Sequence, residues 1–340
     1  MDRLRMVHRD TLSCEPILRR MPSGELLILA QCGDVTEPAP GNRVFAFSSK
    51  DGGETWSKGR LVYPEDGQAV YLTEVTVLAG VVRVYLTLHN GSFLNWRGLV
   101  MRSLDSGYTW EIEGPAPCLP TFTFLRGQVR ARNGELLMAY QHYPVTAAEN
   151  ERLLALGLRW KDADVGYVES GVLVSGDEGR TYERFPGVRL SFGGDTGRGW
   201  IWSEPTLASL PDGTVVMLLR ENQSARLWRA ESGNYGRTWT QPVMTDIPNP
   251  SNKPKLVELP GDRIALIHTP NGQVGMDHRN PLSIWISDDG MKTWGVKHVV
   301  TDFPGSFCYA DGFYEDGRLL FSIEYNRHDI LFVDCEVDAL

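Results

Sequence analysis

The chain has 340 residues, 42% of them hydrophobic, which suits one large all-β or α/β domain or two ordinary ones. Its 35 glycines, 20 prolines, 10 tryptophans and 12 tyrosines indicate many turns and aromatic-rich strands, which favours β structure over helix. A net charge of −9 argues against non-specific binding to nucleic acid or to a membrane surface.

The N-terminal segment MDRLRMVHRD lacks the apolar core of a secretory signal, and no apolar run approaches a membrane span. We therefore expect a cytoplasmic protein without membrane contact, or a secreted or periplasmic one if the sequence is a mature form. The five cysteines (14, 32, 118, 308 and 335) are scattered and contain no CxxC pair. This pattern predicts reduced, buried thiols rather than a zinc knuckle or a disulfide framework.

Residues 48–56, SSKDGGETW, contain the first of five related segments, which we call boxes. The other four read SLDSGYTW, SGDEGRTY, SGNYGRTW and SDDGMKTW, and together they fit the pattern S-x-D-x-G-x-T-W. Their third positions are separated by 54, 72, 57 and 55 residues and are Asp51, Asp105, Asp177, Asn234 and Asp289. A repeat of about 50 residues is typical of a propeller or another repeat array.

A common strand pattern surrounds the boxes. A P-x-G or N-G turn precedes an apolar strand, as in MPSGELLILA and ARNGELLMAY, and a further strand runs into the box. A strand, a hairpin, a strand, the box turn and a last strand make one four-stranded blade. The C-terminal segment repeats the hairpin without a box, and RLRMVH near the N-terminus can supply its missing strand and cover an open edge. We predict an all-β fold, a six-bladed β-propeller of four-stranded antiparallel blades closed by an N-terminal strand, as a single domain over residues 1–340.

The chemistry of the boxes is that of tight turns. The Asp carboxylate can accept backbone N–H groups, the Gly permits positive φ, and the Trp can pack between neighbouring blades. The boxes lack the alternating oxygen ligands and closing Glu of a calcium-binding EF-hand loop. We therefore predict a structural role for them, and we expect no metal and no other cofactor, since no phosphate loop or dinucleotide fingerprint is present.

An insertion at about residues 144–164 makes the second interval between boxes the longest. Within it, AAENERLLALGL has leucines at spacings of three and four, which predicts a short amphipathic helix. Two placements remain open for this helix: on the propeller surface, or as a lid over one rim.

The boxes resemble the Asp boxes of the sialidase (neuraminidase) superfamily of six-bladed propellers, with a repeat layout that covers residues 14–338. The resemblance implies that the boxes lie on the face away from the active site, whose residues come from strand starts and loops at the opposite rim. It implies an exo-acting glycoside hydrolase for a terminal acidic sugar, sialic acid-like or uronic, with a glycan as its partner.

The resemblance also implies candidate residues on several blades. The segment WSEPTLASLPDGTVVMLLREN makes Glu204 the partner of the nucleophile and Arg220 a ligand for a substrate carboxylate or hydroxyl. Arg279 matches the Arg that precedes the strand into the fifth box. Tyr309 stands at the place of the sialidase nucleophile, and Asp311 adds a carboxylate at the same rim.

The first blade supplies the acid and also the main departure from the family. Asp34, in LAQCGD, corresponds to the family's acid/base Asp. Where the family has an Arg before a Pro, this chain has Cys14-Glu15-Pro16. Arg19 or Arg20 is a spatial substitute, and because side chains alternate along a strand at most one of them can face the axis.

These residue types suit glycoside hydrolysis. The oxocarbenium-like transition state needs an acid for the leaving oxygen and a nucleophile or base on the other face, and sialidases use Tyr as the nucleophile. A neutral Tyr with a neighbouring Glu avoids the repulsion that a carboxylate nucleophile would meet from a substrate carboxylate. Arg supplies planar, bidentate carboxylate binding.

Four further residues lie where inner strands end. His89 and His142 follow such strands on the second and third blades, and a His there can act as a general acid or base or orient hydroxyls. Trp96 and Arg97 are candidates for the same rim. Two alternative functions therefore stay open: a propeller polysaccharide lyase or non-sialidase glycosidase with Tyr/His chemistry, and a non-catalytic carbohydrate-binding propeller. The sequence does not indicate an oligomeric state.

Overall fold

The computed structural model describes residues 2–116, 119–191, 201–301, 303–338 and 340. These residues form six separate four-stranded sheets, and the strands that the structure resolves within them pair antiparallel. The predicted all-β six-bladed propeller is therefore confirmed.

Blades one to three follow one another along the chain, after an N-terminal strand β1 (Arg3–Arg9). In order from the axis to the rim, their strands are β2 (Ser13–Arg20), β3 (Leu26–Cys32), β4 (Arg43–Ser49) and β5 (Arg60–Leu61); β6 (Ala69–Leu78), β7 (Val81–His89), β8 (Arg97–Ser103) and β9 (Glu111–Pro115); β10 (Thr123–Arg130), β11 (Leu136–His142), β12 (Tyr167–Ser175) and β13 (Glu183–Ser191).

Blades four and five have the same construction, and blade six contributes three strands of its own. Their strands are β14 (Pro205–Ser209), β15 (Val215–Leu219), β16 (Arg226–Ser232) and β17 (Val243–Pro248); β18 (Lys255–Glu258), β19 (Ile264–His268), β20 (Ser283–Ser287) and β21 (Val296–Val299); β22 (Phe307–Glu315), β23 (Arg318–Tyr325) and β24 (Asp329–Glu336).

The ring is closed at two levels. The strand β1 pairs antiparallel with β24 and becomes the outermost strand of blade six, so the predicted N-terminal closure is confirmed. The six innermost strands β2, β6, β10, β14, β18 and β22 each contact the innermost strands of both neighbouring blades. Apart from its outer rim, each blade is thus buried on both faces, and its strands read as nearly continuous apolar runs such as LLILAQC in β3.

The core lies between neighbouring blades. Leu29 of blade one packs in one buried cluster with Val75 and Leu86 of blade two, and equivalent clusters join the other blades. All seven residues of β3 are buried, as are all five residues of β15. Pairing of consecutive blades explains why the repeated hairpins need one another for stability.

The boxes form the turns between the third and fourth strands of blades one to five. In the first box, Asp51 Oδ1 accepts from the backbone N–H of Thr55 at 2.9 Å and Oδ2 accepts from the Thr55 hydroxyl at 2.6 Å. Gly53 has a φ of 95°, and a Cβ there would lie 2.2 Å from the ring of Phe332 on blade six. Trp56 packs on the same Phe332 at a centroid distance of 5.5 Å. The box therefore joins its own turn to the neighbouring blade, as the sequence predicts.

The fifth box differs from the pattern at one position. Its glycine, Gly290, comes one residue early, and Met291 occupies the fifth position with a φ of 64°. The Met291 N–H still donates to Ser287 Oγ at 2.9 Å, so the turn keeps its hydrogen bonds without the expected glycine. A methionine in this left-handed region is a local strain that the surrounding turn must hold.

The insertion contains the predicted helix, α1 (Ala147–Ala155), which is capped by Thr146. A 3₁₀ turn, Trp160–Asp162, follows it, and a second one is formed by Met276–His278. The insertion packs on blades two and three through Leu153 and Trp160, and its role at the rim is described below.

Four of the five cysteines are free and buried, and Cys118 lies outside the described residues. Within the described part of the chain, no helix is both long enough and apolar enough to cross a membrane.

Candidate active site

A pocket of about 370 Å³ opens at one end of the propeller axis. It lies where the innermost strands begin, and its walls are both aromatic and charged, including Tyr71, Phe93, Phe124, Trp160 and Trp202. In blade one, Arg20 at the far end of β2 pairs with Leu26, and Leu26 pairs with Ser49 of the box. The boxes therefore lie at the other end of the axis, on a surface that we call the box face.

A β-bulge at the start of three innermost strands brings one side chain each into this pocket. The pairing register shifts in β2 between Cys14 and Ile17, in β10 between Leu125 and Gln128, and in β22 between Cys308 and Asp311. The residues skipped by these shifts include the pocket-lining side chains Glu15, Arg126 and Tyr309. A bulge re-aims a side chain that regular alternation would direct elsewhere.

Backbone conformation supports this role of the bulges. Glu15 and Tyr309 both have left-handed backbone, with φ of 49° and 55°, and in blade three the left-handed residue is Gly127. A non-glycine residue in this region costs on the order of 1–3 kcal/mol, and such strain clusters at functional sites. The equivalence of Cys14-Glu15 and Cys308-Tyr309 at the start of their blades is the one sequence signal that could have identified Glu15.

At the floor of the pocket, Tyr309 lies between a carboxylate and a guanidinium. Its hydroxyl donates to Glu204 Oε1 at 3.0 Å and accepts from Arg220 Nη1 at 3.2 Å. Arg220 Nη1 also donates to Glu204 Oε2 at 2.6 Å. Blades four and six thus assemble one hydrogen-bonded triangle, which joins three of the residues that the sequence singles out.

Burial and neighbouring charges shift the pKa values of Tyr309 and Glu204 in opposite directions. Burial, together with the Glu204 carboxylate, raises the pKa of Tyr309 well above its usual value, so the phenol keeps its proton at neutral pH. Burial works against ionisation of Glu204, but the charges of Arg220 and Arg126 prevail and lower its pKa. The arrangement therefore holds a neutral phenol against an ionised carboxylate, the pair that a Tyr nucleophile with a proton acceptor requires.

A second buried pair, Glu15 with Arg126, stands beside the triangle. Arg126 Nη1 donates to Glu15 Oε2 at 2.6 Å, Nη2 donates to the Tyr71 hydroxyl at 3.0 Å, and Nη2 lies 3.3 Å from Glu204 Oε1. The chain thus places a carboxylate, Glu15, in the pocket at the Cys-Glu-Pro segment, while Cys14 is fully buried with its Sγ 3.8 Å from Glu37 Oε2. Neither Arg19 nor Arg20 lines the pocket; Arg19 pairs with Glu74 and Asp311 instead.

Glu37 is the carboxyl that the first-blade loop contributes to the pocket. Burial and the nearby charge of Glu15 raise its pKa to about 7, against the opposing effect of Arg327, whose Nη2 lies 2.6 Å from Glu37 Oε2. A carboxyl that keeps its proton near neutral pH suits a general acid. No sequence pattern indicated Glu37, because it stands three residues beyond the family position and its burial depends on blade six.

Asp34, the predicted acid, lies in the same loop but outside the pocket. It is exposed, and its carboxylate accepts from the backbone N–H groups of Val35 at 2.8 Å and Gly41 at 3.1 Å, which stabilises the loop. The sequence analysis expected Asp34 at the active site, but the structure places it outside the pocket. Its carboxylate is used in hydrogen bonds within the loop, and Glu37 of the same loop lines the pocket instead.

Arg279 lines the pocket as predicted. Its Nη2 donates to the Ser251 carbonyl at 2.7 Å and its Nη1 contacts Cys308 Sγ at 2.9 Å, while Nε has no partner among the described residues. Unlike Arg126 and Arg220, Arg279 has no carboxylate within ion-pair distance in the described part of the chain. Of these three buried guanidinium groups, that of Arg279 is therefore the best placed to meet an anionic substrate group.

Asp311 is not at the pocket rim, contrary to the prediction. It is 1% exposed and lies further along the axis toward the box face, where its carboxylate binds Lys255 Nζ at 2.8 Å and the guanidinium of Arg19. The bulge at Tyr309 explains the difference, because it shifts the following residues into the interior of the ring. Asp311 neutralises buried cations there.

The two histidines also lie outside the pocket. His89 is 2% exposed, its Nδ1 accepts from the backbone N–H of Gly91 at 3.0 Å, and burial lowers its pKa to about 3. His142 Nδ1 lies 3.0 Å from Thr123 Oγ1, and burial lowers its pKa as well. The structure therefore does not bring either imidazole to Tyr309, and a Tyr/His pair is absent from the lining of the pocket.

Trp96 and Arg97 border a different cavity, of about 250 Å³, between blades two and three. Trp96 packs with its ring centroid 4.6 Å from that of Phe124, inside an aromatic cluster behind the pocket wall. Neither residue lines the axial pocket, although Phe93 of the same loop does.

One group of side chains in the described residues has the donor set of a metal site. Asp2, His298 and Cys335 offer ligand atoms within 4.8 Å of one another, away from the pocket at the junction of the N-terminus with blades five and six. A hydrogen bond of 2.7 Å between His298 Nε2 and Asp2 Oδ2 accounts for this geometry without an ion.

Comparison with solved structures supports the fold. A Hadza microbial sialidase, Hz136, is 17% identical with a TM-score of 0.70, over 98% of this chain and 67% of its own length. A protein of unknown function from Dyadobacter fermentans is 17% identical with a TM-score of 0.72, over 99% of both chains. Trypanosoma rangeli sialidase in its covalent intermediate is 15% identical with a TM-score of 0.72, over 98% of this chain and 59% of its own length.

At these identities the likeness shows the fold alone, and this chain spans less than two thirds of the length of the Trypanosoma protein. No curated protein sequence matches the chain significantly. The BNR repeat-like domain family matches residues 75–320, which cover well over half of the chain and four of the five boxes. The chain therefore belongs to the BNR repeat-like domain family and has a propeller of the sialidase-like kind.

Proposed function

We propose that the protein is a glycoside hydrolase that removes a terminal acidic sugar, sialic acid-like or uronic, from a glycan. The observation that carries the proposal is the triangle of Tyr309, Glu204 and Arg220 on the floor of a pocket open at one end. A closed floor admits one terminal sugar and leaves the rest of the glycan at the mouth, which fits an exo-acting enzyme. Arg279 supports an acidic sugar, because its guanidinium has no carboxylate partner in the described part of the chain.

The first step is a displacement by the phenol. The Tyr309 oxygen forms a bond to the anomeric carbon while the bond from that carbon to the leaving oxygen breaks. The phenol proton passes to Glu204, 3.0 Å away, because bonding to carbon makes the phenol strongly acidic. Glu37 gives its proton to the leaving oxygen.

The second step reverses these transfers. Water attacks the anomeric carbon and breaks its bond to Tyr309, Glu37 takes the proton of that water, and Glu204 returns a proton to the phenolate. Two displacements at one carbon predict retention of configuration.

The experiment must distinguish the proposed hydrolase from a non-catalytic carbohydrate-binding propeller. The Glu15–Arg126 pair favours that alternative, since it replaces the first-blade arginine by an occupied ion pair. We would screen wild-type protein and Tyr309→Phe against 4-methylumbelliferyl sialosides, uronides and neutral glycosides, with glycan binding measured in parallel. We expect turnover of an acidic glycoside, a loss of about 10³-fold or more in Tyr309→Phe, and unchanged binding.

Full activity in Tyr309→Phe would remove Tyr309 from the mechanism. Glycan binding without turnover of any glycoside would favour the non-catalytic propeller. An ultraviolet signal from an unsaturated uronate would point to a lyase.

A further inference from the structure

The insertion at residues 144–164 contributes two cations to the mouth of the pocket. Arg159 and Lys161 line the pocket and are both exposed. Neither forms an ion pair with another described residue, whereas Arg152, in the same insertion, pairs with Glu149 at 2.7 Å. In a chain of net charge −9, two exposed cations without an ion-pair partner in the described part of the chain concentrate positive charge at the pocket mouth.

The residue between these cations holds them in place. Trp160 is 1% exposed and packs edge-on against Tyr143 at 4.9 Å and Phe93 at 5.2 Å between ring centroids. The 3₁₀ turn is closed by Asp162, whose Oδ2 accepts from the Arg159 N–H at 2.9 Å. Because the backbone on both sides of Trp160 is anchored, the two cations project from a rigid base, which lowers the entropy lost on binding.

The cations deeper in the pocket are already engaged or serve the reacting sugar. Arg126 pairs with Glu15, Arg220 with Glu204, and Arg327 with Glu37. A substrate whose terminal sugar meets Tyr309 at the floor must direct its leaving part to the mouth, where Arg159 and Lys161 lie.

We propose that Arg159 and Lys161 form a subsite for an anionic group, a carboxylate or a sulfate ester, on the sugar that follows the cleaved bond. The natural substrate is then an acidic oligosaccharide with anionic groups on both sides of that bond. This inference rests on the proposed function for the orientation of the substrate, and it assigns to the insertion the role of a specificity element rather than that of a surface helix or a closing lid.

The experiment measures binding by calorimetry, so that it does not depend on turnover. The protein carries Tyr309→Phe to prevent hydrolysis, and the probes are a tetragalacturonate, a chondroitin sulfate tetrasaccharide and neutral cellotetraose. The test variant adds Arg159→Ala and Lys161→Ala. The matched control adds Lys58→Ala, just after the first box, and Arg180→Ala, within the third box, two exposed cations on the box face, so that both variants lose the same net charge.

We expect the test variant to bind at least one acidic probe about tenfold more weakly in 50 mM salt, with the difference shrinking in 500 mM salt as the charges are screened. The control should change the dissociation constant less than twofold. Preference for the galacturonate or for the sulfated probe identifies the anionic group.

Two results would overturn the subsite: equal loss of affinity in the test and control variants, or no binding of either acidic probe. If the acidic probe binds as expected but the wild-type protein cleaves no glycoside, the subsite stands and the proposed hydrolysis fails. If hydrolysis is seen and the test variant binds as before, the reverse holds.

Discussion

The box face and the axial pocket both rely on charged side chains, but they use them over very different distances along the chain. In the first box, the exposed Asp51 bonds to Thr55, four residues away. In the pocket, the buried Glu15 pairs with Arg126, 111 residues away, and Tyr309 bonds to Glu204 across 105 residues. Short-range bonds can be repeated from blade to blade, whereas the pocket combines different side chains from several blades.

Because of this difference, we expect substitutions in the boxes and in the pocket to have different costs. The carboxylate of a box can be removed at a local cost, because its hydrogen-bond partners lie within one turn and in contact with water. Removing one partner of a buried ion pair of the pocket, such as Glu15 with Arg126, leaves the other charge buried and unpaired, which is far more costly. The contrast leads to four predictions, given from the largest expected effect to the smallest.

Arg126→Gln tests how much the buried ion pair of the pocket contributes to stability. The change leaves Glu15 without its ion-pair partner and weakens the environment of Glu204, so we expect the free energy of unfolding to fall by about 3–5 kcal/mol. Urea unfolding followed by fluorescence measures it. The matched control is Arg130→Gln on the same strand, which breaks an exposed pair with Glu178 and should cost no more than about 1 kcal/mol. Equal effects of the two changes would contradict the contrast between the two faces.

Glu37→Gln tests whether the pocket tunes an acid. Because the pKa of Glu37 is raised to about 7, we expect kcat/KM to fall above about pH 7 in the wild-type protein. Glu37→Gln should abolish that alkaline limb and slow cleavage of substrates with alkyl leaving groups by about 10²-fold. Asp34→Asn, in the same loop, should leave the alkaline limb in place; loss of the limb there instead would restore Asp34 as the acid.

The raised pKa of Glu37 also predicts how the stability of the protein depends on pH. Since the folded-state pKa of Glu37 lies above its ordinary value of 4.5, the protonated carboxyl contributes stability below that value, and the contribution is lost as pH rises through about 7. On the box face the sign is opposite. Hydrogen bonds from Thr55 lower the pKa of Asp51 to about 2, so its contribution is present above pH 4 and lost as pH falls toward 2.

Asp105→Ala tests the box face and has the smallest expected effect. The change removes the hydrogen bonds from Thr109 and Tyr108 to an exposed carboxylate, so we expect a loss of about 1–2 kcal/mol in unfolding free energy. Asp105→Asn should cost less, since Asn234 makes the corresponding contacts in the fourth box. Both variants should keep the wild-type kcat and KM; reduced turnover in a variant of unchanged stability would contradict a purely structural role.

The sequence predicted the parts of the site that depend on position within a repeat. Glu204 and Tyr309 stand at the start of their blades, and Arg220 and Arg279 stand between the second and third strands of theirs. The structure brings Arg220, Arg279 and Tyr309 to the lining of one pocket, with the buried Glu204 bonded to Tyr309. The sequence also predicted an acid in this loop, but the carboxyl of the loop that lines the pocket is Glu37 and not Asp34, because which carboxyl of a loop turns inward depends on the loop's own hydrogen bonds and on its contact with blade six.

Other pocket residues could not be predicted at all. Arg126 reaches the pocket because of a bulge in β10, and no pattern in the sequence predicts at which residue a bulge occurs. Trp160 and its flanking cations belong to an insertion whose helix was predictable, but whose packing against an aromatic cluster was not.

By itself, the sequence determined the number of blades, their strands and the box turns, because each depends on bonds between residues close in the chain and on a pattern repeated five times. The ring closure joins β1 to β24 from opposite ends of the chain, and it was predictable because the last repeat lacks one strand. Only the tertiary structure decided which charges meet at the axis. Those partners are about a hundred residues apart, and bulges, left-handed residues and burial select them, all of which arise only when the ring closes.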